Sequence, residues 1–173
     1  EESLVKISPS FISVADQTFH VDARFVNLGK ALSDSITVEV KRTYPNNTTE
    51  VIRRFRVPGV RYSDSLSFDV DIAPTIEKGN NSITITLDAD EEVDELYETN
   101  INNVITKNFV IYEDEARPVY PFNYAIVNKQ NIAFQASTAN PLSPLRQSTM
   151  EIDTTTFFTS PFKVIRTQSS VGG

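Results

Sequence analysis

The chain has 173 residues, 39% hydrophobic and 23% charged, which is enough apolar material for a packed core and argues against disorder over most of the length. Its formal net charge of −7 repels phosphate backbones and anionic membrane surfaces, so nucleic acid and lipid are the wrong partners. The absence of cysteine excludes disulfides, thiolate nucleophiles and thiolate metal sites, and no run of about 18 apolar residues offers a membrane-spanning helix.

Period-two alternation then runs through the first two thirds of the chain. A first strand is predicted over Val5–Val14. Phe19, Val21, Ala23 and Phe25 alternate with His20, Asp22 and Arg24, and the Asn27-Leu28-Gly29 turn follows, where Gly29 can take positive φ. Ile36, Val38 and Val40 alternate with Thr37, Glu39 and Lys41 before the Pro45-Asn46-Asn47 turn. A strand over Glu50–Val57 ends at Pro58-Gly59. Leu66, Phe68, Val70 and Ile72 alternate with polar residues, as do Ile83, Ile85 and Leu87 after the Lys78-Gly79-Asn80-Asn81 turn. Residues Glu91–Thr99 are acidic and offer at most one turn of helix before a last strand over Asn103–Tyr112. About seven short strands with turns every 8–12 residues predict an all-β fold, an immunoglobulin- or fibronectin-III-like β-sandwich over residues 1–112.

Residues 113–118, with three acids and a proline, read as a linker. Beyond it, strands are predicted at Val119–Val127, Ile132–Ala136, Thr149–Asp153 and Lys163–Thr167. Residues 119–173 are too few for a sandwich of roughly 100 residues, so a partial second β domain is expected, cut short, or strands that fold back on the first domain. Its open edges invite self-association. The start at Glu1-Glu2 and the stop at Val171-Gly172-Gly173 read as boundaries inside a longer protein.

The acidic stretch Leu87–Asn100 resembles the signature of the CARDB family, the cell adhesion related domain found in bacteria. Asp88, Val93, Glu95, Glu98 and Asn100 match an Asp that ends one strand and the Val-x-Glu-x-x-Glu-x-Asn-Asn run before the last, with Ile101 displacing the second Asn. Residues Phe25–Ala31 resemble the family's Val-x-Asn-x-Gly-x-Ala turn, and Gly79-Asn80-Asn81 also fits, so the resemblance covers about residues 19–112. The segments Pro118–Phe122, Ala136–Asn140 and Glu151–Thr155 are similar to stretches that follow a gingipain-like cysteine peptidase domain in surface proteins of Bacteroidetes exported by type IX secretion. The resemblance implies an immunoglobulin-like, secreted, noncatalytic cell-adhesion module at the cell surface of a Gram-negative bacterium, in a parent that carries its peptidase elsewhere. Its partners would be neighbouring domains of the parent chain and a surface glycan or protein ligand. Two alternatives stand beside it: a carbohydrate-binding module using Tyr44, Tyr62 and Tyr97, and an accessory domain docked on the peptidase.

The candidate chemistry is sparse. Asp88, Asp90, Glu92, Glu95 and Glu98 could supply oxygens to calcium, although the spacing is not that of an EF-hand; the plainer reading is a solvated loop whose carboxylates cap backbone N–H groups. His20, the one histidine, reads as a solvent-facing strand residue, because spacing demonstrates neither a nucleophile nor an orienting acid for it. No catalytic and no cofactor-binding residue is assigned, and the chain is not expected to be an enzyme on its own. Asp69 and Asp71 read as solubility and edge protection, and Arg53, Arg54, Arg56 and Arg61 as partners for acids on adjacent strands. Asn46-Asn47-Thr48-Thr49 and Asn80-Asn81-Ser82 contain glycosylation sequons that read as turns. Asp34-Ser35-Ile36, Asp64-Ser65-Leu66 and Asp153-Thr154-Thr155 match an O-glycosylation pattern of Bacteroidetes.

Overall fold

The computed structural model describes residues 4–30, 33–73, 75–94, 102–129, 131–138, 141 and 144–172. The chain divides into two compact units, Glu1–Tyr112 and Glu113–Gly173. Among the described residues all regular structure is β-strand.

In the first unit the strands are β1 (Val5–Ser8), β2 (Ile12–Ser13), β3 (Thr18–Val26), β4 (Ile36–Thr43), β5 (Thr49–Val57), β6 (Ser63–Asp71), β7 (Gly79–Thr86) and β8 (Val104–Tyr112). They form a three-stranded sheet in the order β1-β3-β6 and a five-stranded sheet in the order β2-β8-β7-β4-β5. The strand expected over Val5–Val14 is split at Pro9, which has no N–H to give to a ladder. Before the break β1 pairs antiparallel with β3; after it β2 pairs parallel with β8, so the chain crosses from one sheet to the other.

Alternation sends Val5, Phe19, Val21, Phe68 and Val70 from one sheet, and Val38, Val40, Ile83, Ile85 and Ile111 from the other, into a single buried cluster. That shared cluster makes the unit a sandwich. The rings of Phe55 on β5 and Phe68 on β6 meet across it, with centroids 5.4 Å apart. Strand β5 is an edge, carries Arg53, Arg54 and Arg56, and is mostly exposed, as an edge that must resist stray pairing should be. Between Val40 and Lys41 the β4–β5 register slips, passing from Val40↔Arg53 to Lys41↔Val51.

Among the described residues the positive-φ glycine is Gly79, at φ +114, and not Gly29. Gly29 instead donates its N–H to Asn27 Oδ1 at 2.8 Å, while Asn27 Nδ2 donates to the carbonyls of Val60 (2.8 Å) and Lys30 (3.0 Å). The asparagine side chain does the work of the turn, so no left-handed residue is needed there.

The second unit holds β9 (Ala116–Tyr120), β10 (Gln135–Thr138), β11 (Arg146–Ile152) and β12 (Val164–Ser170), paired antiparallel as β9 with β10 and β11 with β12. Residues Ala116–Pro118, expected in the linker, lie in β9, and the strand expected over Val119–Val127 stops at Tyr120. Two of the linker's three acids are engaged: Glu113 pairs with Arg117 and Asp114 with Arg146. No described residue of this unit is buried. The turn before β12 is organised by Asp153, whose carboxylate accepts the Ser160 N–H at 2.9 Å and the Thr155 hydroxyl at 3.1 Å. Desolvation pushes the Asp153 carboxyl up, but the Ser160 and Thr154 amides and the neighbouring hydroxyls outweigh it and hold its pKa at about 2.

Candidate functional site

Among the described residues of the first unit, three polar clusters combine ionisable side chains. The first is the acidic loop after β7. Asp88, at φ 49, turns the chain so that its two carboxylate oxygens accept the N–H groups of Glu92 (2.9 Å) and Val93 (3.0 Å). Ala89 donates its N–H to the Thr37 carbonyl at 2.9 Å, and Glu92 Oε2 accepts the Thr37 N–H at 2.8 Å. Asp90 pairs with Arg54 and Glu92 with Arg56. Arg56 also donates to the Thr37 hydroxyl at 3.0 Å. The arginines of edge strand β5 therefore fasten this loop across the start of β4. Hydrogen bonding from Thr37 and Arg54 lowers the Asp90 pKa, and Arg56 with Thr37 lowers that of Glu92.

Of the five carboxylates considered for calcium, Asp88, Asp90 and Glu92 hold these partners, while Glu95 and Glu98 lie outside the described residues. Among the described residues no group of three or more His, Asp or Glu side chains is placed to hold a metal ion. Both lowered carboxyls have folded pKa values below their unfolded ones. Their stabilisation is therefore present above the unfolded carboxylate range, about pH 4, and is lost as pH falls below it. Thermal unfolding followed from pH 7 to pH 3 is expected to show this loss, and Arg56→Gln should remove most of the Glu92 share. An unchanged profile in Arg56→Gln would contradict the latch.

The second cluster surrounds His20 on the outer face of the three-stranded sheet. Its strand partner is Asp69, and Asp22, two residues on, faces Ser67. His20 Nδ1 lies 2.6 Å from Asp69 Oδ1, and Nε2 lies 2.8 Å from Ser67 Oγ and 3.2 Å from Asp22 Oδ1. By distance alone these are a serine, a histidine and an aspartate in relay, which spacing in the sequence could not reveal. The second carboxylate changes the chemistry: Ser67 Oγ donates to Asp22 Oδ1 at 2.6 Å, so its proton is directed away from the imidazole. The ring lies between two carboxylates, and the Asp69 hydrogen bond foremost, with Asp22, raises its pKa above 6.5 against a smaller desolvation effect. The arrangement suits a clasp between β3 and β6 rather than an activated nucleophile.

Because the folded pKa of His20 is raised, its contribution is complete below pH 6.5 and disappears as pH rises through the folded value. The neighbouring charges belong to Asp22 on the same strand, Asp69 on β6, and Lys6 on β1, whose strand partner is Asp22. The unfolding midpoint is expected to fall as pH rises above about 6.5, and His20→Gln should flatten that step. A step of full size in the variant would assign it to another group.

The third cluster was not foreseen. Arg42 is 1% exposed and follows Ile36, Val38 and Val40 at the inward parity of β4. Its Nη2 donates to Glu77 Oε2 and to Asn81 Oδ1, both at 3.0 Å, and its Nη1 to the Asp71 carbonyl at 3.3 Å. The guanidinium carbon lies 4.8 Å from the Tyr44 ring centroid, 5.4 Å from that of Phe19 and 5.8 Å from that of Phe109. Asn81 in turn donates to the carbonyls of Glu77 (2.7 Å) and Gly79 (3.0 Å). Tyr44, considered as an exposed glycan contact, is buried in this cluster, and its hydroxyl donates to Glu50. Desolvation, then the Glu50 bond, pushes the Tyr44 pKa up to about 12. Tyr62 is exposed, and Tyr97 lies outside the described residues.

The chain is similar to a solved CARDB domain. That domain, from Pyrococcus furiosus and in complex with di-metal ions, is 24% identical, with a TM-score of 0.48 over 62% of this chain and 84% of that one. A beta-glucosidase from Kluyveromyces marxianus is 13% identical, with a TM-score of 0.41 over 62% of this chain and 14% of its own length. No protein-family model matches the chain, and no curated protein matches it.

Proposed function

We propose that this chain is a noncatalytic structural and adhesive module of a larger exported cell-surface protein. The observation that carries the reading is the use made of ionisable groups in the first unit. Asp90 and Glu92 latch a loop to β5, His20 clasps β3 to β6, and Arg42 ties β4 to Glu77 ahead of β7. Charges committed to holding strands together suit a rigid spacer that presents loops and edges to other macromolecules. On this reading the acidic loop is a latch and needs no calcium. The reading extends to the surface of a Gram-negative bacterium of the Bacteroidetes, with export by type IX secretion and neighbouring domains of the parent chain as its first partners.

Antibody raised against the first unit tests the location: it should label intact cells of the source organism, and labelling only after permeabilisation would contradict export. The purified chain is expected to turn over no ester, peptide or glycoside substrate. Turnover that Ser67→Ala abolishes would overturn the noncatalytic assignment.

A further inference from the structure

The second unit contains a segment whose sequence periodicity and conformation disagree. Phe122, Tyr124 and Ile126 share one parity and Asn123, Ala125 and Val127 the other, so an extended strand here would gather its three largest apolar side chains on one face. The segment is nevertheless irregular, and these three side chains are 68%, 94% and 100% exposed. Tyr124 adopts φ 63, a left-handed conformation that an aromatic residue rarely takes. A turn bond from the Ala125 N–H to the Phe122 carbonyl, 3.0 Å long, accompanies it. The chain thus spends the alternation of a strand on solvent and holds a strained residue at its centre.

We propose that residues 121–127 are a self-association strand, through which two copies of this chain pair antiparallel about Tyr124. In that register Phe122 faces the partner's Ile126, and Tyr124 faces the partner's Tyr124, so the apolar row of one copy covers that of the other. A twofold pairing needs such self-complementarity. Tyr124 would move to extended φ, relieving its left-handed conformation, and the turn bond would be exchanged for ladder bonds.

Charge also favours a second copy. No residue from 118 to 128 is charged, so the segment lacks the lysines and glutamates that usually blunt a strand edge. The second unit carries Glu113, Asp114, Glu115, Glu151 and Asp153 against Arg117, Lys129, Arg146, Lys163 and Arg166, a net charge of zero. The whole formal charge of −7 therefore belongs to residues 1–112, and like-charge repulsion opposes contact there but not between second units. The inference does not depend on the role proposed for the first unit.

Sedimentation velocity of the full chain, from about 1 to about 100 µM, should show a monomer–dimer equilibrium. Ile126→Lys is expected to weaken it by at least about tenfold, with the circular dichroism spectrum and the melting of the first unit unchanged. Tyr124→Gly removes the left-handed strain without adding charge and should also weaken the dimer, by favouring the turn. A wild-type monomer throughout this range, or a dimer indifferent to Ile126→Lys, overturns the proposal. A Tyr124→Gly chain that dimerises like wild type overturns the turn-to-strand step.

Discussion

Glu77→Ala is expected to lower the unfolding free energy of the first unit by about 3–5 kcal/mol, because it leaves the Arg42 guanidinium buried without its counter-charge. Arg42 and Glu77 are 1% and 4% exposed, so water cannot replace the lost carboxylate without opening the core. Total stabilities of about 5–15 kcal/mol make this a large fraction of the whole. Removing both charges should cost much less. Arg42→Met with Glu77→Leu keeps apolar volume against Tyr44, Phe19 and Phe109, and replacing a buried pair by hydrophobic side chains is often neutral. Recovery should be partial, since Asn81 Oδ1 loses its donor as well. Guanidinium unfolding of the three chains checks this. A double variant less stable than Glu77→Ala would mean that the guanidinium matters for its hydrogen bonds to Asn81 and Asp71 more than for its charge.

Phe19→Ala should cost about 3–5 kcal/mol, the usual range for deleting a fully buried ring. Phe19 is 1% exposed, its ring centroid lies 5.0 Å from that of Phe109 on β8, and Arg42 sits over its face. The ring therefore joins the two sheets and also lines the guanidinium's pocket. Phe19→Leu, closer in volume, should cost less than about 1.5 kcal/mol. Because both sites share Arg42, Phe19→Ala and Glu77→Ala should not be additive. A loss below about 1 kcal/mol for Phe19→Ala, with unchanged denaturant dependence, would show that the two sheets do not close on this ring.

Much of the first unit is legible in the sequence because its strands bury one face each. β3, β4, β6 and β7 lie where apolar residues alternate, and the inward parity of each is the parity of its apolar row. Parity alone points to Arg42: it continues the row of Ile36, Val38 and Val40, and a charge at an inward position demands a buried partner. That partner, Glu77, is 35 residues away, beyond the reach of any local pattern. The acidic loop shows the same division. Its carboxylates are plain in the sequence, but their arginines stand 36 residues upstream on another strand, so only the fold identifies the loop as a latch. At Gly29 the backbone N–H donates to Asn27 Oδ1, and that bond shapes the turn without a positive φ. In the second unit the apolar run over Val119–Val127 reads as a strand, yet β9 ends at Tyr120, because an apolar run makes a strand only where another strand pairs with it.

Two sheets close over one core in residues 1–112, and charged side chains fasten that core. Native-state hydrogen exchange on the full chain tests this most directly. The amides of Phe19, Val38, Val40, Ile83 and Ile85 should exchange only through global unfolding, with amides of edge strand β5 opening far sooner, and Glu77→Ala should accelerate all five core amides by one common factor. Acceleration confined to β4, with β3 and β7 unmoved, would mean that the sheets do not share a single cooperative core.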